Sequence, residues 1–251
     1  MRTRVTELRS MDAEPVAARR WERITAAAGL AGVLGLVGEL VTWSNPHLSD
    51  PVSKITGYFV NQRSTALASI GLGLLAAVAL LVFAAGMRAI LSRENGRIDV
   101  LPTIVLSAGV LYVSAELTFT TMTGALVLVA GEASRGEVRM LLALENFADL
   151  FRFLPVGGLV GAASLAMLGR GAFARWIAWL GVVSGALLLI AAGGVLTPED
   201  GGGSISDAGM VGLVLFLIWL ISTSLSLVRR PAIPARAQAA PTAEERLPAH
   251  V

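Results

Sequence analysis

The amino-acid sequence predicts an all-α fold, a polytopic membrane bundle of six transmembrane helices, and three observations carry that expectation. The 251 residues are 55% hydrophobic and only 15% charged, with a mean hydropathy of +0.70, whereas a water-facing domain carries about 25% charged residues. Six stretches reach the ~20 mostly apolar residues that a helix needs to cross a bilayer: about 24–43, 65–90, 101–129, 148–168, 175–196 and 208–228. The basic residues are shared unequally between the two sides of these stretches.

That inequality sets the orientation. With the N-terminus inside, the inner segments hold Arg2, Arg4, Arg9, Arg19, Arg20 and Arg23, then Arg88, Arg93, Arg97, Arg170 and Arg175, and finally Arg229, Arg230, Arg236 and Arg246. The outer segments hold only Lys54, Arg63, Arg135, Arg139 and Arg152. Cytoplasmic loops are the ones enriched in Lys and Arg, so both termini are expected inside, in the cell (inner or plasma) membrane. Trp21 and Trp43 bracket the first span and Trp176 opens the fifth, at depths where interfacial indoles belong.

Residues 1–23 form a basic N-terminal arm, too long and polar for a cleaved signal, so the first span acts as an uncleaved anchor. In the first outer loop, Asp50-Pro51 offers an N-cap followed by proline at the first helical position. Val52, Ile55, Phe59 and Val60 then recur at helical spacing among Lys54, Asn61, Gln62 and Arg63. This pattern predicts a short amphipathic helix lying on the outer leaflet. The third span is long enough to tilt or project. The fourth contains Pro155, which predicts a kink, and Ser134-x-x-Glu137 is a capping-box spacing that would start its helix near Arg135. The sixth, with no charge from Ala208 to Val228, is expected to be the most peripheral. Beyond it, residues 229–251 are Pro/Ala-rich and expected to be a disordered cytoplasmic tail.

Composition excludes much chemistry. With no cysteine there is no disulfide, thiolate metal site or Cys nucleophile. The two histidines, His47 and His250, lie outside the apolar runs, which rules out bis-His haem within the membrane and HExxH zinc chemistry. The basic pI of about 9.6 comes from arginines flanking apolar segments, so it indicates a membrane surface and no nucleic-acid partner. No cofactor or metal is expected; the acids of the last outer loop, Glu199, Asp200 and Asp207, lack EF-hand spacing.

Two kinds of residue interrupt the apolar runs. Small residues stripe several spans: Ala28, Gly32 and Gly35 lead to Glu39 on one face of the first, and Ser69, Gly73 and Ala77 share a face of the second. Gly157-x-x-x-Gly161 and Gly181-x-x-x-Gly185 are close-approach patterns, read here as packing within the bundle. Charged residues inside spans are the informative exceptions, because translocon scales put a mid-span charge about 2.5–3.5 kcal/mol uphill. Glu116 lies near the middle of the third span with Tyr112 one turn away, and it requires a partner, water or a proton. Glu39 lies near the outer end of the first span. Glu145, Asp149 and Arg152 fall at i, i+4 and i+7 on one face leading into the fourth, where the arginine can offset the acids. These six residues form a candidate polar, ligand-binding cluster in the outer half of the membrane.

The chain also resembles a broad group of bacterial six-span integral membrane proteins classed as a domain of unknown function. The resemblance covers about residues 24–230. It rests on Asp50-Pro51 leading into Gly57-Tyr58-Phe59 and Asn61-Gln62-Arg63, on a Leu/Ala-rich helix reaching Asp149 and Pro155, and on the run from Ala174-Arg175-Trp176 to Gly181. It implies six spans and no activity. Three functions fit these residues: a lipid- or small-molecule-binding membrane protein, a partner subunit of a membrane complex with no site of its own, or a membrane enzyme using a buried carboxyl as general acid. The absence of His, Cys and an acid-rich motif weighs against most metal-dependent membrane enzymes. Oligomeric state is not legible.

Overall fold

The computed structural model describes residues 2–42, 46–93, 100–170, 173–196 and 203–229. These form seven α-helices: α1 (Arg2–Thr42), α2 (Val52–Asn61), α3 (Arg63–Arg93), α4 (Val100–Val129), α5 (Arg135–Arg170), α6 (Arg175–Ala192) and α7 (Gly203–Arg229), with a 3-10 turn at Gly193–Leu196. No strand occurs among the described residues. Six helices, all but α2, are long and apolar enough to cross a membrane. The chain is a multi-pass membrane protein, and the bilayer is its solvent. α1 begins at Arg2, so the basic arm continues the first span as one helix. Trp43, Arg97, Glu199, Asp200 and the 230–251 tail lie outside the described residues.

The six long helices close into a ring. α1 packs on α3, α3 on α4, α4 on α5, α5 on α6, α6 on α7, and α7 returns to α1. Lipid supplies no hydrophobic drive between helices, so close backbone approach must hold them. The two GxxxG patterns do this for one pair. A Cβ on Gly185 of α6 would stand 3.0 Å from the Gly157 carbonyl oxygen and from the Gly161 Cα of α5, tighter than side chains tolerate. The glycines thus serve packing within the bundle.

The sixth span is no more peripheral than three of the others. α7 carries Phe216, Trp219 and Leu220, all fully buried, and is buried to the same extent as the first, third and fifth spans, while the fourth is the most buried. Trp219 stacks near Phe216 and meets Phe83 of α3 edge-on, at 6.1 and 5.9 Å between ring centroids. Absence of charge therefore marked a helix facing an apolar interior as much as one facing lipid. The Ser184 hydroxyl of α6 also donates to the Gly212 carbonyl of α7 at 2.9 Å.

A second, smaller core lies beyond the end of α1. Ile55 and Phe59 of α2, with no exposure, pack with Ala66 of α3, Leu126 and Val127 of α4, Ala130 just after it, and Val138 and Leu142 of α5. A helix forms where the amphipathic one was predicted; Ile55 and Phe59 of its apolar face rest on protein, while Val60 is exposed. The reason is the length of its neighbours: α4 and α5 run past α1 as a hairpin, leaving apolar side chains for α2 to cover. Asp50 is not the cap of α2 either. Its carboxylate accepts from the His47 N–H and from Lys54 Nζ, each at 2.9 Å, while Pro51 occupies the cap position. The capping box of α5 forms as predicted, with Ser134 N–H donating to Glu137 Oε2 at 2.7 Å and Glu137 N–H to Ser134 Oγ at 3.4 Å. Pro155 lies within α5, which continues unbroken from Arg135 to Arg170.

Candidate functional site: a polar layer centred on Arg152

Between the two apolar cores lies a layer of polar side chains. On α4 the main core ends at Tyr112 and the small core starts at Leu126; Glu116, Thr120 and Thr123, all buried, stand between. On α5 the small core ends at Leu142 and the main one resumes at Val156, with Glu145, Asp149 and Arg152 between. On α3 Ser69 and Gly73 separate Ala66 from Ala77. α1 contributes Glu39, three residues before its end at Thr42. Glu116 is therefore mid-helix in sequence yet level with the end of α1, because α4 projects so far.

One guanidinium gathers the layer. Arg152 Nη1 donates to Glu39 Oε1 and to Glu116 Oε2, both at 2.7 Å. Its Nε donates to Asp149 Oδ1 at 3.2 Å, and Nη2 reaches the same oxygen. The guanidinium carbon lies 3.9 Å over the Phe119 ring, where the negative face of the aromatic adds attraction. Acids from α1, α4 and α5 thus converge on one base. Burial falls from Glu116, with no side-chain exposure, through Glu39 at 7% and Arg152 at 15% to Asp149 at 34%. The layer is closed at Glu116 and opens at Asp149.

Helix α3 takes part by what it lacks. A Cβ on Gly73 would collide with Glu116 Oε1 and stand 3.3 Å from the carboxyl carbon of Glu39. The glycine is the recess into which both carboxyls fit. Glu116 Oε1, pressed against it, has no hydrogen-bond partner among the described residues, and neither does the buried hydroxyl of Ser69, one turn away on the same face of α3.

Of the six sequence-predicted residues, the structure brings four together: Glu39, Glu116, Asp149 and Arg152. Tyr112 is buried one turn from Glu116 and within electrostatic range of all four. Glu145 stays apart. Seven residues of α5, ~10 Å of rise, separate it from Arg152, and it meets the Thr123 hydroxyl at 3.3 Å. Arg152 itself reaches along the helix toward Asp149 and across the ring to Glu39 and Glu116. Sequence reasoning left Gly73, Phe119 and Ser69 out of the cluster. Phe119 had a signal, three residues after Glu116 on the same face; Gly73 had only membership of a small-residue stripe. A further buried set, Ser164, Trp219, Thr223 and Ser224, lies in the main core and carries no charge.

Three acids against one base leave the layer with more negative than positive groups. Chemically it offers acceptors: four Arg152 donor contacts are occupied by carboxylates, while a buried carboxylate oxygen is unmet. Among the described residues no group of three or more His, Cys, Asp or Glu is placed to hold a metal ion. The fold and this layer define a six-helix membrane protein with an interior ion cluster. No family model, curated protein or solved structure matches the chain.

Proposed function

We propose that this is a protein of the bacterial cell membrane, with both termini cytoplasmic, that binds a lipid or small molecule in the Arg152 layer. The observation that supports it most is the unpaired Glu116 oxygen inside a cluster already rich in acid. An unsatisfied buried polar group costs about 1–3 kcal/mol, more when charged, and native structures keep few of them.

Depth supports the same reading. About 20 residues of helix, ~30 Å, counted from the arginines at the opposite end cross the hydrocarbon. From Arg23, Arg88 and Arg170 that count reaches Trp43, Ala68 and Leu150. Glu39, Gly73, Asp149 and Arg152 all lie within five residues of those positions, ~8 Å. In the N-in orientation the layer sits just below the outer head groups, with exposed Asp149 nearest to them, and α2 with the α4–α5 hairpin caps it from outside.

A second reading, a partner subunit whose charges only fix helix register, draws on the closed geometry around Arg152. The two separate in one experiment. Protein purified in mild detergent as wild type and as Glu116→Gln is compared by native mass spectrometry. A ligand site predicts a discrete bound mass on wild type, reduced at least tenfold in the variant, with elution and melting alike in both. No bound mass on either, with the variant folded, would establish the structural role.

A further inference from the structure

We propose that the ligand of this layer is a primary ammonium group, carried by a lipid head group or by a soluble amine; this rests on the ligand-site reading above. Sign comes first. Glu39, Glu116 and Asp149 surround a single guanidinium, and uncompensated charge in a low-dielectric interior is costly. A cation reduces that excess and an anion enlarges it.

Hydrogen-bonding capacity points the same way. Four contacts to carboxylate oxygens engage four of the five N–H donors of Arg152. Glu116 Oε1, fully buried, is met by no donor, and the Ser69 hydroxyl, 2% exposed, has no partner among the described residues. A phosphate or carboxylate brings Glu116 Oε1 no donor. An ammonium with three N–H groups finds what it needs.

Donor capacity narrows the class. An –NH3+ group offers three N–H donors to these oxygens, and a trimethylammonium, which has no N–H, offers none. Asp149, one-third exposed at the mouth of the layer, is the first carboxylate that a cation would meet.

The test measures occupancy by native mass spectrometry of full-length protein in mild detergent, titrated with dioleoylphosphatidylethanolamine, -choline or -glycerol, and separately with free ethanolamine. The proposal predicts that the ethanolamine lipid binds at least tenfold more tightly than the other two, and that Glu116→Gln and Asp149→Asn each remove this preference. Asp149→Asn is the safeguard, since its exposed position makes misfolding a smaller concern. Free ethanolamine binding at the strength of the lipid supports the same chemistry from a soluble source, and failure of ethanolamine assigns it to the lipid. Equal or tighter binding of the choline or glycerol lipid, or a preference unaffected by both substitutions, overturns the ammonium and leaves a ligand site of another class. No saturable binding of any probe, with no bound mass on the purified protein, overturns the ligand site itself.

Discussion

At the scale of residues, Arg152 and Gly73 do the most. Arg152 is the only base facing Glu39, Glu116 and Asp149 among the described residues, so removing it strands acids in a closed layer. Breaking a buried ion pair by deleting one partner costs about 3–5 kcal/mol. Arg152→Gln is therefore expected to lower unfolding stability by that amount in SDS titration of mixed micelles, whereas loss below about 1 kcal/mol would mark an exposed, weak pair. Gly73→Ala places a methyl on the Glu116 carboxylate and is expected to cost about 1–3 kcal/mol through overpacking. Gly124→Ala in α4, where a Cβ meets nothing within 4 Å, is the control and should not destabilise. The charged residues of this layer were legible in the sequence because a carboxyl in an apolar run demands a partner. Gly73 was not, since a glycine's role is to admit groups from other helices, and only their placement reveals it.

At the scale of elements, α2 and the α4–α5 hairpin form a cap held by burial of Ile55 and Phe59. Phe59 is fully buried among Leu126, Val138 and Leu142, and Phe→Ala in such a core costs about 3–5 kcal/mol. Phe59→Ala should release α2, seen as fast amide exchange over 52–61 with α6 and α7 unchanged. Equal exchange in wild type and variant would show α2 held by something else. Just before α2, the hydrogen bond from Lys54, then that from the His47 N–H, hold the Asp50 carboxyl below the usual aspartate range. A lowered folded-state value means that this contribution is complete above the ordinary aspartate value and fades as pH falls through the lowered one. Amide protection at 52–54 should fall only under such acid conditions, and Asp50→Asn should abolish the dependence. The helix was legible from its period and its proline. Its partner was not, because amphipathicity is the same whether the apolar face meets lipid or protein, and only the excess length of α4 and α5 decides.

At the scale of the whole molecule, a closed ring of six helices holds an apolar core, a polar layer and a small apolar cap in succession. The ring order and the burial of Trp219 were beyond the sequence, since neither hydropathy nor charge says which face of an apolar helix turns inward. Orientation rests on the arginines and can be tested separately. The chain has no cysteine, so single cysteines at Glu132 and Ala174 report opposite ends. Impermeant maleimide should label Glu132→Cys in intact cells and leave Ala174→Cys protected until lysis; the reverse pattern would invert the layer's place in the membrane. The account as a whole depends on Glu39 and Arg152, 113 residues apart, meeting inside the ring. A double-mutant cycle of Glu39→Gln, Arg152→Gln and the pair, read by unfolding in mixed micelles, measures that contact directly. Coupling of about 1–3 kcal/mol is predicted for partners in one ion network, and effects that simply add, within about 0.5 kcal/mol, would contradict it.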